Sequence, residues 1–191
     1  MKPLFLAAAL AAATPAFASE ATVYVLDPSH SQVVFHYNHL GYSTTYGMFS
    51  GFEGQISWNK EDPAASSVTV SFPVRTMLTG WEARFEHFMS GDFFGAEDDS
   101  ELVTFSSTGI EVTGETTAKI TGDLTLNGVT KPVVLDATLT QEMDHPMEGK
   151  PWAGFEATTT LTRSEFDLGM FAPYVSDEVE VYISVEATPA E

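Results

Sequence analysis

Ala118–Leu139, AKITGDLTLNGVTKPVVLDATL, reads as two alternating strands folded about Asn127-Gly128. Asn-Gly is suited to a two-residue type I′ turn, whose two central positions both need positive φ. That turn sets the register: Leu126 opposite Val129, Leu124 opposite Lys131, Ile120 opposite Leu135. One face then carries Ile120, Gly122, Leu124, Leu126, Val129, Val133, Leu135, Ala137 and Leu139. The other carries Thr121, Asp123, Thr125, Thr130, Asp136 and Thr138, with Lys119 across from Asp136. Antiparallel strands with one apolar face must bury it against something large. A closed or nearly closed sheet with an apolar interior is the economical solution.

Outward from this hairpin, the same period of two recurs. Val23–Asp27 reads as a short strand, broken at Asp27-Pro28-Ser29. Ser31–Asn38 resumes with Val33, Phe35 and Tyr37 on one face, and His39–Tyr42 turns the chain. From Tyr46 an even-numbered alternation places Tyr46, Met48, Phe52, Ile56 and Trp58 together, with Gly47, Gly51 and Gly54 as bend, bulge or close-packing positions. Val68, Val70, Phe72 and Val74 alternate next. Further strands are expected at Leu102–Ser107, Ile110–Thr113 and Trp152–Arg163, the last aligning Ala153, Phe155, Ala157, Thr159 and Leu161. Glu178–Ala187 turns Val179, Val181, Ile183 and Val185 inward. Gln141–Lys150 reads as a polar loop, Glu165–Tyr174 as a crossing segment, and Thr188–Glu191 as a frayed tail.

The period changes once. Trp81, Arg84, Phe85 and Phe88 recur at helical spacing, with Thr79 and Glu82 forming a capping box. A helix this short is unstable alone and must cap or plug the sheet. With eight to ten strand candidates and no repeated strand–helix unit, the expected fold is all-β: an extended antiparallel eight-stranded barrel with a short capping helix.

The first eighteen residues have the marks of a secretory signal: Lys2, the small apolar run Leu4–Ala13, and Ala16-Phe17-Ala18 before Ser19. The competing reading is a retained anchor. Residues 19–191 are then one domain, expected in the periplasm. The chain has no cysteine and a net charge of −19. Such charge excludes nucleic acid and polybasic adsorption to anionic lipid.

No nucleophile elbow, HExxH, CxxC, phosphate loop or calcium loop is present. His36 and His39, three apart in a strand, point to opposite faces and do not make a metal site. Glu97-Asp98-Asp99 with Glu101 reads as solvated charge. No metal, catalytic group or cofactor is assigned. Aromatic residues dominate instead. Phe35, Tyr37, Phe52, Phe72, Phe105 and Phe155 fall on inward strand faces, and Trp81, Phe85, Phe88, Phe93 and Phe94 gather about the helix. Gly54 and Gly122, with Ala157 and Thr159, are expected to leave free volume. Arg75, Arg84, Lys131 and Arg163 are the scarce cations, each read first as a surface ion-pair partner and second as a contact for a polar head group, with Arg84 singled out because it lies beside the helical stripe.

These passages together resemble the YceI-like family of exported bacterial proteins with a lipocalin-like barrel. The resemblance covers about Val23 to Ala187. Its bearers are YVLDPSHSQVVFHYNHLG, YGMFSGFEG, RFEHFMSGDFF, VTFSS, ITGDLTLNGVTKPVVLDATL, RSEFDLGM and DEVEVYISVEA. Two departures stand out: Ser100-Glu101 replaces an aromatic-proline pair, and Arg163–Gly169 reads RSEFDLG where RSDFG is usual. The resemblance implies a non-catalytic carrier or store enclosing a polyisoprenoid or isoprenoid quinone; a membrane-associated donor or acceptor is a candidate partner that the sequence does not identify. It implies interior positions at Phe35, Tyr37, Phe52, Phe72, Phe105, Leu124, Phe155 and Val181, joined by Phe85, Phe88, Phe93 and Phe94 from the helical region. Two other readings stay open. One is an enzyme acting on a hydrophobic substrate through a dispersed pair such as His87 with Glu86 or Asp92. The other is a packed structural or interaction domain.

Overall fold

The computed structural model describes residues 20–191, so the expected signal at 1–18 lies outside the described residues. Ten strands occur in chain order: β1 Thr22–Leu26, β2 Gln32–His39, β3 Ser43–Phe49, β4 Glu53–Trp58 and β5 Ser67–Pro73. After the helix α1, Glu82–Met89, come β6 Leu102–Val112, β7 Thr117–Leu126, β8 Val129–Asp144, β9 Pro151–Thr162 and β10 Glu178–Pro189. All pairs are antiparallel. The sheet runs β1-β4-β5-β6-β7-β8-β9-β10-β2-β3, and β10 pairs β1 as well, closing the ring. Because β1 and β2 lie one after the other along β10, and β4 and β3 lie one after the other against them, each pair acts as one interrupted stave. The result is an eight-stranded lipocalin-like barrel with extra strand segments and, among the described residues, one short α-helix.

The central hairpin forms in the expected register, with Asn127 at φ 52° and Gly128 at φ 71°. On its outer face Lys119 Nζ meets Asp136 Oδ1 at 2.5 Å, and the hydroxyls of Thr125 and Thr130 lie 2.8 Å apart.

The β3–β4 region departs from the expected pattern. The even-numbered alternation does not run through, because Gly51 takes φ 74° and shifts the phase by one residue. Phe49 is therefore buried with Phe52 and Ile56, while Tyr46 on the expected inward face is well exposed. A single curved strand becomes two, with different partners.

Other boundaries move for similar local reasons. Leu102–Val112 is one strand, carried past Thr108 by a bulge between Ser107 and Gly109. Strand β8 extends to Asp144 against Pro151, so the polar loop shrinks to 145–150. The tail is held: Thr188 and Pro189 pair with β1, and Ala190 N–H donates to the Val23 carbonyl at 2.8 Å. The Thr79–Glu82 capping box does not form. Trp81 is the N-cap, without a side-chain cap bond, and the Thr79 hydroxyl donates instead to the Trp81 carbonyl at 2.8 Å.

One barrel end carries the Asn127-Gly128 turn, α1, the β2–β3 turn and the crossing segment 163–177; it is the capped end. Asn127 Nδ2 ties that turn to the Phe166 carbonyl at 3.0 Å. The opposite end carries the loops 59–66, 113–116 and 145–150.

Candidate functional site

Inward side chains of every stave leave a cavity of about 280 Å³. By the same measure a single water needs roughly 10–15 Å³, so the space suits a ligand of many heavy atoms. Along β9 the wall includes Phe155, Ala157, Thr159 and Leu161, and along β10 Val179, Val181, Ile183 and Val185. Six residue steps of strand span about 20 Å at a rise of about 3.3 Å each. The cavity is long and almost wholly apolar, and the interior is not filled by its own side chains.

Aromatic rings build the wall beneath α1. Phe49 sits 5.5 Å from Phe35 and 5.1 Å from Phe72, and Phe52 meets Phe72 edge-on at 4.6 Å. Such pairs fix ring orientation beyond the area they bury. Toward the other end, Trp58 crosses Phe155 at 5.6 Å and its indole N–H donates to Glu142 Oε1 at 3.3 Å.

Of the residues singled out in the sequence, Phe35, Tyr37, Phe52, Phe72 and Phe105 face the cavity. Leu124, Phe155 and Val181 face it from the remaining staves, and Phe88 and Phe94 from the cap. Arg84, Phe85 and Phe93 do not. Arg84 lies over the Trp81 ring at 5.9 Å and donates to the Thr79 carbonyl at 2.9 Å. Phe85 packs on the core beneath the Arg75 guanidinium, 5.3 Å away. Phe93 contacts His87, Phe88 and Phe171 on the outer side of the cap. The stripe of α1 is thus split, with Phe85 packed on the core and only Phe88 lining the cavity.

The glycines do not make the free volume. The Phe105 ring lies over Gly122, the Phe35 ring lies over Gly47, and Gly54 presses on the Thr69–Val70 backbone. These are close-packing positions. Space comes from small wall residues such as Ala137 and Ala157, which face each other across β8 and β9. Sequence reasoning missed Phe49 because of the phase shift, and Leu168 because nothing in the crossing segment's pattern marks it as wall.

Arg163 is 8% exposed and lines the cavity, with its guanidinium engaged by backbone carbonyls. Its guanidinium donates to the carbonyls of Ser176 at 2.8 Å, Met170 at 2.9 Å, Val175 at 2.8 Å, and to that of Leu168. One side chain thereby organises the whole crossing segment. Burial pulls Arg163 below its ordinary value, against the opposing influence of Asp177 and Tyr37. Burial also pushes the Tyr37 hydroxyl up, against Arg84, a hydrogen bond with Thr45, and Arg163.

Outside the barrel, His87 Nε2 lies 3.2 Å from Asp92 Oδ2, but both side chains are about half exposed and neither lines the cavity. His36 pairs with Glu180 at 3.3 Å on the outer face. Asp27, His30 and Glu186 bring one possible ligand atom each within 4.8 Å of one another. Hydrogen bonds account for the Asp27–His30 part. Asp27 accepts from Ser29 N–H at 2.9 Å and Ser29 Oγ at 2.7 Å, and pairs with His30 Nδ1 at 2.7 Å. They clasp the interruption between β1 and β2. Burial pushes Asp27 up, but the hydrogen bonds from His30 and Ser29 outweigh it and hold the carboxyl below its ordinary value. The hydrogen bond to Asp27, with the charges of Glu186 and Asp27, raises His30.

Comparison with known proteins places this geometry. The YceI-like domain matches residues 24–187. A UPF0312 protein of Ectopseudomonas mendocina is 42% identical over 165 residues, covering 85% of both chains. Another, from Azotobacter vinelandii, is 40% identical over 185 residues, covering 96% of this chain and 94% of its own. Among solved structures, the Campylobacter jejuni YCEI protein superposes with a TM-score of 0.70 at 28% identity, covering 81% of this chain and 90% of its own. A polyisoprenoid binding domain from Saccharophagus degradans shares the fold, with a TM-score of 0.66 at 12% identity, covering 88% of this chain and 99% of its own.

Proposed function

This chain belongs to the YceI-like family, and from that premise we propose that it binds a long-chain isoprenoid lipid or isoprenoid quinone in its barrel, as a non-catalytic carrier or store in the periplasm. The observation that carries the reading is the continuous apolar cavity, walled by rings and aliphatic side chains from every stave. Each buried methylene of a ligand contributes about 0.8 kcal/mol, so hydrocarbon contact alone supplies strong binding without a polar anchor. The length of the cavity favours an extended chain over a compact ligand. The likeness to a polyisoprenoid binding domain supports the isoprenoid class. The signal-like Lys2–Ala18 supports export, and the absence of cysteine is compatible with it.

Protein recovered gently from the envelope of its host tests this. Native mass spectrometry is expected to show a non-covalent hydrophobic adduct, and the stripped protein is expected to take up a fluorescent polyprenol. N-terminal sequencing is expected to begin at Ser19. A protein that carries no adduct and takes up no polyprenol refutes the carrier reading, and a retained residue 1 refutes the processing.

A further inference from the structure

The capped end of the barrel wears a collar of exposed, uncharged side chains. Tyr42 is 90% exposed at the β2–β3 turn, Tyr174 is 76% exposed in the crossing segment, and Trp81 is 64% exposed at the start of α1. Leu40, Leu78 and Phe171 are exposed as well. The structure holds these residues together. Leu40 N–H donates to the Tyr174 carbonyl at 3.0 Å, Leu78 pairs with Met48 of β3, and Phe171 lies 5.9 Å from His87 of α1. In a chain of net charge −19, the three stretches that build the collar, Ser31–Phe52, Thr76–Trp81 and Leu168–Ser176, contain no Asp, Glu, Lys or Arg. Strand β3 is also the free margin of the sheet, joined on its far side only by the Leu78 bridge among the described residues, and it carries none of the charges that usually guard such an edge.

We propose that this collar docks on the surface of a lipid bilayer whose head groups are zwitterionic or uncharged. The proposal rests on the carrier reading, because a chain stored in the cavity has to pass to and from a lipid phase. The elements that carry the collar also carry wall residues of the cavity: α1 supplies Phe88, the loop after it Phe94, and the crossing segment Leu168. Tyr and Trp favour the zone between head groups and acyl chains, where an apolar ring and a polar tip are both satisfied. The charge pattern chooses among bilayers. Arg84 beside Trp81 is outnumbered by acidic groups on the same barrel end, Glu82, Glu86, Glu97, Asp98, Asp99 and Glu101, which repel an anionic surface. Binding therefore weakens as anionic lipid is added at low salt, and recovers as salt screens the repulsion.

The tryptophans provide the test, because Trp81 is in the collar while Trp58 and Trp152 lie at the opposite barrel end. Vesicles of brominated phosphatidylcholine are expected to quench the fluorescence of the purified protein, and the Trp81→Phe variant is expected to lose that quenching. Joint Tyr42→Ser and Tyr174→Ser substitution is expected to weaken vesicle binding about tenfold. Met147→Ser, at the exposed tip of the far loop, is expected to leave it unchanged. Quenching retained in Trp81→Phe, or vesicle binding indifferent to the tyrosine pair, overturns the proposal. Hydrophobic adduct is measured on the same samples: collar variants that keep the adduct but lose vesicle binding support docking. An absent adduct with collar-dependent vesicle binding overturns the carrier reading alone.

Discussion

Replacing Ala157 by phenylalanine tests the cavity directly. Ala157 faces the interior beside Ala137 of β8 and Ile183 of β10, so a ring there points into open space. The substitution adds six ring carbons and displaces about as many carbons of a bound chain. At about 0.8 kcal/mol for each methylene lost, the ligand loses about 5 kcal/mol, a few thousandfold in affinity. The empty protein loses little or no stability, since the ring fills a void instead of overpacking a core. Thr158→Phe is the matched control, because one step along the strand turns the same ring to the outer face beside Tyr182. The assay is titration of each stripped, folded variant with a fluorescent polyprenol, alongside denaturant unfolding. Equal affinity in Ala157→Phe and the parent protein refutes the claim that the ligand runs past this position. Equal loss in both variants refutes the assigned strand parity.

Three further outcomes follow from the geometry. Arg163→Met strands four carbonyls of the crossing segment and is expected to cost about 3–5 kcal/mol in urea unfolding; Arg163→Lys restores little, because an ammonium cannot span the same fork. Gly122→Ala drives a methyl into the Phe105 ring and is expected to cost about 1–3 kcal/mol by the same measurement, although alanine is otherwise the better strand residue. The Asp27–His30 clasp makes stability depend on pH. His30 is raised in the folded state, so its contribution is complete below its ordinary value of about 6.5 and is lost as pH rises through the folded value. Asp27 is lowered, so its contribution is present above about 3.9 and fades as pH falls through the folded value. The difference in Tm between the parent and His30→Gln is therefore expected to be largest between about pH 4 and 6.5 and to shrink toward pH 8. A difference that grows with pH contradicts the clasp.

Much of this protein is written locally. Asn127-Gly128 determines its own turn, and with it ten residue pairs between β7 and β8, because positive φ at two adjacent positions leaves few alternatives. Alternation on β9 and β10 correctly told inside from outside, since a period of two has only two phases. The barrel and most of its wall were legible for that reason. Where a single residue resets the phase, the pattern misled: Gly51 moved Phe49 inside and Tyr46 outside, and no count of apolar residues locates that change. Arg163 shows a different limit. Its sequence context suggested a surface ion-pair partner or a ligand for a head group, but the four carbonyls it serves come from a segment that returns to it only in the folded chain. The cavity belongs to the tertiary structure in the same sense. Which glycines are covered by rings and which alanines face open space depends on the closure of eight staves, and closure is a property of the whole sheet that no stretch of it carries alone.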